Sequence, residues 1–559
     1  MSELTPIQEV LGRTWIDVFV EQTDRLPEQP MAYDGDRMVS YGELRRQVDE
    51  LALALLADGV RPGECLAIWM NNCLDFVVAQ WAVYRVGCTL LPLYSYYRVP
   101  ELEHCLNNAG VTTLFTKSDF AGKVDARALL LGLLPELEQE TAGNVSHARV
   151  PSLRRVITAD DWQLPGTRTV QQLAAAEGRP HAGVLDTIQG RVAPTDVMNV
   201  MFTSGTTGKP KGGLSMHRNN IASVHCWSQA ARLSPKDVIL CHVPLFTNFG
   251  CLYASALAVF NGASMVITPY FDAAESLRLI TAHKITYVPG SPEIFRGLLE
   301  APEFPNADVS TVRGGHVAGS ELEPDLMARI IDELAPEVMQ GYGMSECGGI
   351  SAFSSAADKR EARLGTVGRP ISTCKLEIRD PLSGEKMPAG KTGEIWYADA
   401  LPGSCVGKGY HGDRALTQAS ITPDGWFRSG DLGRMDENGY VVFAGRIKNM
   451  ITVGGFNVYP QEIQQFLTAQ DGVAEAHVVG VRDHRLGTVP VAFLVPDGKT
   501  LDTAAIEARA RTSLSSQKRP RAYWITPRSE LPYTPSGKVE TKELIHRAEE
   551  RRAARTAEE

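Results

Sequence analysis

The run Thr203-Ser204-Gly205-Thr206-Thr207-Gly208-Lys209-Pro210-Lys211-Gly212 gathers four hydroxyl residues, three glycines and two lysines in ten positions. Glycine lets backbone N–H groups approach an anion, hydroxyls donate hydrogen bonds, and lysines supply positive charge. The chemistry this suits is the holding of a phosphate chain. Two or three such residues would make an ordinary solvated turn, but ten in succession behind the apolar stretch Val197–Phe202 favour phosphate. A helix is expected after His217, which gives the order strand, polar loop, helix. The spacing lacks the four residues that separate Gly from Gly-Lys-Ser/Thr in a P-loop, which argues against an ordinary P-loop ATPase.

Four further segments carry residues able to do chemistry. In Gly341-Tyr342-Gly343-Met344-Ser345-Glu346, an aromatic on a glycine-flanked loop could stack on a base while the carboxylate beside it holds Mg2+. In Trp426-Phe427-Arg428-Ser429-Gly430-Asp431, an aspartate after a tight turn could accept from both ribose hydroxyls; alone it is an ordinary Asp turn. Gly445-Arg446-Ile447-Lys448, with Gly454-Gly455 following, is by itself a basic turn. Lys538 follows the turn Pro535-Ser536-Gly537 and alone reads as a solvated surface lysine.

These residues need a scaffold, and the hydrophobic pattern outlines one. Ser40-Tyr41-Gly42-Glu43 reads as a capping box ahead of a helix to about Asp58. Strand Cys65–Met70, helix Leu74–Val86 and strand Cys88–Leu93 follow in βαβ order, which implies a parallel sheet. Residues 117–168 are more polar and read as an insertion or surface layer. Further strands are expected near Val197–Phe202, Val238–Val243, Ser264–Thr268 and Thr286–Val288, then strands and turns from Thr366 to Tyr440. Beyond a break near residues 445–449 come helix Pro460–Ala469, strands Ala474–Val481 and Pro490–Val495, helix Thr503–Leu514 and a last helix from Val539, ending in a charged, frayed tail. The fold class is therefore α/β. A large N-terminal domain of parallel-sheet βα layers with a β-rich subdomain spans 1–445 (about 1–195, 196–345 and 346–445). A small α+β domain spans 446–559.

Composition narrows the partners. A chain of 559 residues is too long for one compact core. The net charge of −10 argues against a general nucleic-acid binder. Ten scattered cysteines without a Cys-x-x-Cys pair fit free, mostly buried thiols in a reducing cytoplasm. The first ten residues do not read as a signal peptide, and the uncharged stretch from Val238 to Phe271 is broken by Pro244, Gly250 and Gly262, so a membrane span is not expected.

Taken together, in this order and spacing, the five motifs closely resemble the adenylate-forming superfamily, which includes acyl-CoA synthetases, luciferases and peptide-synthetase adenylation domains. The resemblance covers the chain from about Trp15 to Leu544. Leu134-Pro135-Glu136-Leu137-Glu138, Arg313-Gly314-Gly315 and Val453–Pro460 are similar to the bacterial fatty-acyl–CoA ligase branch. The resemblance implies that Thr203, Ser204, Gly205, Thr206, Thr207, Gly208, Lys209 and Lys211 close over the β- and γ-phosphates of ATP. It implies that Gly319, Ser320 and Glu321 lie along adenine, that Tyr342 packs on it, and that Ser345 and Glu346 hold the α-phosphate and Mg2+. Asp431 would bind ribose, Arg446 would support the nucleotide, Lys448 would be the hinge and Lys538 the catalytic lysine. Gly454 and Gly455 would meet CoA. The implied activity is adenylation of a fatty or aryl acid, release of pyrophosphate, and transfer of the acyl group to CoA.

The chain departs from the family where the acid would bind. Thr247, in Pro244-Leu245-Phe246-Thr247-Asn248-Phe249-Gly250, stands where a histidine is usual, and His316 stands where an apolar residue is commoner. Gly348 and Gly349 follow Cys347 and leave room, or expose backbone, beside the acceptor group. A small or aromatic polar acid fits these changes at least as well as a fatty acid. Two other acceptor chemistries stay open: loading of a carrier protein, and an ATP-dependent diazotase of secondary metabolism that adenylates nitrite and passes it to an aromatic amine. A non-catalytic nucleotide-binding protein is disfavoured by the presence of Lys538, Glu346, Asp431 and Arg446 together.

Overall fold

The computed structural model describes residues 7–139, 141, 147–175, 180–203, 210–320, 322–447, 450–453, 456–483, 486–533 and 539–558. The chain resolves into two compact units, Met1–Leu376 with Tyr397–Arg428, and Glu377–Trp396 with Ser429–Glu559.

The first unit holds two large sheets. Cys65–Trp69, Thr89–Pro92 and Thr113–Thr116 pair in parallel and are buried nearly throughout. Continuous apolar strands of this kind are what a sheet covered on both faces requires. Helix Leu74–Arg85 is buried all round, Arg85 included, whose guanidinium is paired with Asp49 at 2.9 Å. The segment 117–168 is more than a surface layer. Arg155–Thr158 adds in parallel to Thr113–Thr116, and Arg168–Thr169 adds beyond it. Val156 and Ile157 supply the apolar contact that draws this polar stretch into the sheet.

The second sheet runs Arg369–Pro370, Gly349–Phe353, Glu337–Met344, Gly314–Val317, Tyr287–Gly290, Val238–Cys241, Ser264–Ile267, Pro30–Asp34 and Arg37–Ser40. Its central strands are parallel, and Gly314–Val317 lies between Tyr287–Gly290 and Glu337–Met344. The second unit carries an antiparallel pair, Val473–Asp483 with Gly487–Pro496, on which Tyr523–Ile525 packs in parallel.

Several local expectations shift. Ser40 caps helix Tyr41–Ala57 by accepting from Glu43 N at 3.2 Å, but the Glu43 carboxylate turns to Arg46 and Gln47, so only half of the capping box forms. The last helix begins at Thr541 rather than Val539, and a short helix, Arg414–Ser420, interrupts the strand-and-turn region. Among the described residues no helix is long and apolar enough to cross a membrane.

Candidate active site

The segments on either side of the proposed phosphate loop pair as a hairpin. Strand Val197–Thr203 pairs antiparallel with Lys211–Met216, Thr203 opposite Lys211 and Phe202 opposite Gly212. Lys211 and Gly212 therefore belong to a second strand that precedes helix His217–Ala231, which corrects the strand–loop–helix expectation. The reason is local. Leu214 and Met216 alternate with Ser215 and extend the pairing before the chain can turn helical. Residues 204–209 lie outside the described residues. At the far end of the loop, Pro210 O is 3.1 Å from His104 Nε2.

The returning strand meets the turn that bears Glu346. Ser215 Oγ donates to Ser345 O at 3.1 Å, and a Cβ on Gly213 would come within 3.3 Å of Glu346 Cγ. Glycine at 213 is thus what lets the carboxylate lie against the phosphate hairpin. Ser345 starts a short 3-10 turn, Ser345–Cys347, which ends with Gly348 in the left-handed region at φ +75°.

A third segment, Gly407–His411, clasps both. Gly407 N donates to Glu346 O at 2.8 Å, Leu214 N to Gly409 O at 2.8 Å, and His411 N to Gly212 O at 2.8 Å. Tyr410 Oη donates to Glu346 Oε1 at 2.9 Å. Burial, and the Glu346 carboxylate beside it, push the Tyr410 pKa up, so the phenol stays protonated and remains a donor. Sequence reasoning missed Tyr410. The signal available was the glycine-spaced run Gly407-Lys408-Gly409-Tyr410-His411, which has the look of a close backbone approach.

Tyr342 stands on strand Glu337–Met344, its ring 6.2 Å from that of Tyr397 and inclined by 30°. Gly319 has φ +96°, with nothing within 4 Å of where its Cβ would lie. Ser320 Oγ donates to Glu293 Oε1 at 2.9 Å, and Glu321 lies outside the described residues. Thr247 is a helix cap. Its Oγ1 donates to Pro244 O at 2.7 Å and accepts from Gly250 N at 3.2 Å. The two glycines after Cys347 have no spare room beside them. A Cβ at Gly348 would lie 2.7 Å from Asn219 O, and one at Gly349 2.6 Å from Tyr253 Oη. His316 is fully buried in strand Gly314–Val317, where burial pushes its pKa well below the ordinary imidazole value.

In the second unit, Asp431 sits within strand Phe427–Met435 rather than after a turn, directly opposite Arg446 at the end of strand Val441–Arg446. Their charges pair, Arg446 Nε lying 3.0 Å from Asp431 Oδ1, with the aspartate buried and the arginine half exposed. Lys448, Gly454, Gly455 and Lys538 lie outside the described residues.

The site offers one buried carboxylate, Glu346, beside the hairpin. Among the described residues no group of three or more His, Cys, Asp or Glu side chains converges to hold a metal. A single carboxylate without a protein cage suits Mg2+ carried in on nucleotide phosphates, because that ion keeps much of its shell for phosphate oxygens and water.

A hairpin with a polar tip and a carboxylate fixed against it, on a parallel α/β scaffold, make a site suited to a phosphate-bearing ligand and its cation. Residues 19–411 match the AMP-binding enzyme family and residues 462–538 its C-terminal domain. The chain is 34% identical over 529 residues to 3-[(3aS,4S,7aS)-7a-methyl-1,5-dioxo-octahydro-1H-inden-4-yl]propanoyl:CoA ligase of Mycobacterium tuberculosis, covering 93% of this chain and 96% of that one. It is 30% identical over 549 residues to the mitochondrial medium-chain acyl-CoA ligase ACSF2 of Danio rerio, covering 97% and 89%. Among solved structures, ATP-bound MatB from Rhodopseudomonas palustris superposes with a TM-score of 0.79 at 25% identity, covering 95% of this chain and 98% of that one. The chain belongs to the adenylate-forming, AMP-binding enzyme family and is an AMP-forming ligase of the acyl-CoA synthetase type.

Proposed function

We propose that the enzyme joins a carboxylic acid to ATP, releasing pyrophosphate and leaving an acyl-adenylate, and then passes the acyl group to the thiol of CoA. The observation that carries this reading is the Glu346 carboxylate, held by Tyr410 against the strand that closes the phosphate hairpin. The CoA acceptor is supported by the two relatives, each named a CoA ligase.

A carboxylate and ATP are both anionic and repel until cations intervene. In this reading Thr203 to Lys211 grip the β- and γ-phosphates, which leave as pyrophosphate. Tyr342 and the Gly319-Ser320-Glu321 loop receive adenine, Asp431 accepts from the ribose hydroxyls, and Arg446, paired with Asp431, supports the nucleotide. Ser345 steadies the α-phosphate. Mg2+, when bound at Glu346, neutralises phosphate charge. Lys538 stabilises the charge that develops as the acid oxygen attacks the α-phosphorus in line. Lys448 serves as the hinge residue, and Gly454 and Gly455 meet CoA.

The test is ATP-dependent pyrophosphate release across fatty acids, aryl acids and nitrite, with and without CoA or an arylamine. The expected result is AMP and pyrophosphate with a carboxylic acid and a thioester only when CoA is added. Turnover with nitrite and an arylamine but no carboxylate would replace this reading with a diazotase. Lys538→Ala is expected to lose adenylate formation while still transferring a supplied acyl-adenylate to CoA.

A further inference from the structure

His316 has a tautomer fixed by its neighbours. Trp227 Nε1 donates to Tyr287 Oη at 2.6 Å, and Tyr287 Oη lies 3.2 Å from His316 Nδ1. Burial raises the Tyr287 pKa, so the phenol keeps its one proton. Its oxygen accepts from the indole, and His316 Nδ1 is the hydroxyl's other partner among the described residues, so the proton is placed toward Nδ1. A neutral imidazole that accepts at Nδ1 carries its own hydrogen on Nε2. The tautomer is assigned from this network. Nε2 is buried and has no hydrogen-bond partner among the described residues.

The ring sits in an aromatic box. Trp227, Phe249 and Tyr253 make T-shaped contacts with it at centroid distances of 5.0, 4.5 and 5.5 Å, and Tyr287 closes the fourth side at 5.8 Å. The other polar atom on these walls is engaged. Tyr253 Oη pairs with Ser223 Oγ at 2.5 Å and accepts from Ile350 N at 2.7 Å. The box lies under the strands that flank the Glu346 turn. A Cβ on Gly341 would be 3.2 Å from the Trp227 ring, and Tyr253 abuts Gly349 and Ile350. Trp227, Tyr253 and Tyr287 are fully buried, whereas Phe249 is only half buried. Phe249 also belongs to a three-residue helix, Asn248–Gly250, that leads into a π-helical turn, Cys251–Ala256, a geometry that recurs at functional sites. It is the least buried of the four walls.

A buried donor without an acceptor destabilises the protein on its own and rewards any ligand that supplies one. We infer that His316 Nε2–H reads a hydrogen-bond acceptor in the body of the acid, a keto or ether oxygen, so that the enzyme selects oxygenated acids over plain alkyl acids of the same length. This rests on the carboxylate-activating reading above, and it names the substrate class of that same site.

The test compares kcat/KM for pyrophosphate release with a straight-chain alkanoate and with oxo-acids of equal length whose carbonyl is stepped along the chain. The wild-type enzyme is expected to favour one oxo isomer over the alkanoate by about a hundredfold, because the alkanoate leaves the donor unpaired. His316→Leu is expected to bring that ratio near one, and His316→Asn, which still offers an N–H, to restore part of it. A wild-type ratio near one for every isomer, or a ratio unchanged in His316→Leu, overturns the inference while leaving carboxylate activation standing. Release of pyrophosphate with no acid of either kind overturns carboxylate activation, and this inference with it.

Discussion

Two regions meet at the Glu346 turn, and they are built differently. On the hairpin side, Lys211–Met216 and Gly407–His411 are locked by main-chain hydrogen bonds, with glycines wherever a side chain would collide. On the other side, His316 is enclosed by aromatic rings drawn from residues 227, 249, 253 and 287, and its one hydrogen bond among the described residues runs through a relay of side chains. The first region fixes backbone and one carboxylate, which suits a ligand whose phosphates are the same in every turnover. The second is a buried aromatic enclosure built from individual side chains, which suits a ligand that differs between related enzymes.

The contrast can be broken from the hairpin side. Glu346→Gln keeps the shape but removes the charge, and pyrophosphate release is expected to fall by about a thousandfold with thermal stability little changed. An equal loss of stability would mean that the residue is structural. Gly407→Ala places a methyl 2.2 Å from Leu214 O and 2.8 Å from Glu346 O, so the clasping segment must shift. A destabilisation of about 3 kcal/mol is expected by denaturant titration, with activity lost alongside. Tyr410→Phe deletes only the phenol that donates to Glu346 Oε1. Adenylation is expected to fall by about tenfold in a normally folded protein, and unaltered kinetics would show that the carboxylate needs no such anchor.

The same contrast explains what the sequence revealed. The phosphate run and the Gly341–Glu346 segment are contiguous, so residue type and spacing expose them. Tyr410 was hidden because its partner, Glu346, is remote along the chain, and the bridge that sets Tyr410 beside the hairpin is made to Gly213. The Asp431–Arg446 pair was read as two separate turns, since only antiparallel register sets the two residues opposite each other. The parallel core was legible from apolar strands alternating with helices, whereas the strand Arg155–Thr158 was masked by its polar surroundings. The substitution at Thr247 was visible, but its use as a helix cap depends on the local turn geometry around Pro244 and Gly250. At His316 the sequence marks an unusual residue. Only packing shows a buried ring whose Nε2 has no hydrogen-bond partner among the described residues.

The most direct test of the central claim is a product analysis of ATP turnover by the full chain with an oxo-acid, before and after CoA is added. The account predicts enzyme-bound acyl-adenylate and pyrophosphate without CoA, then AMP and acyl-CoA once CoA is present. Formation of ADP and inorganic phosphate, or thioester formation without an adenylate intermediate, would contradict it.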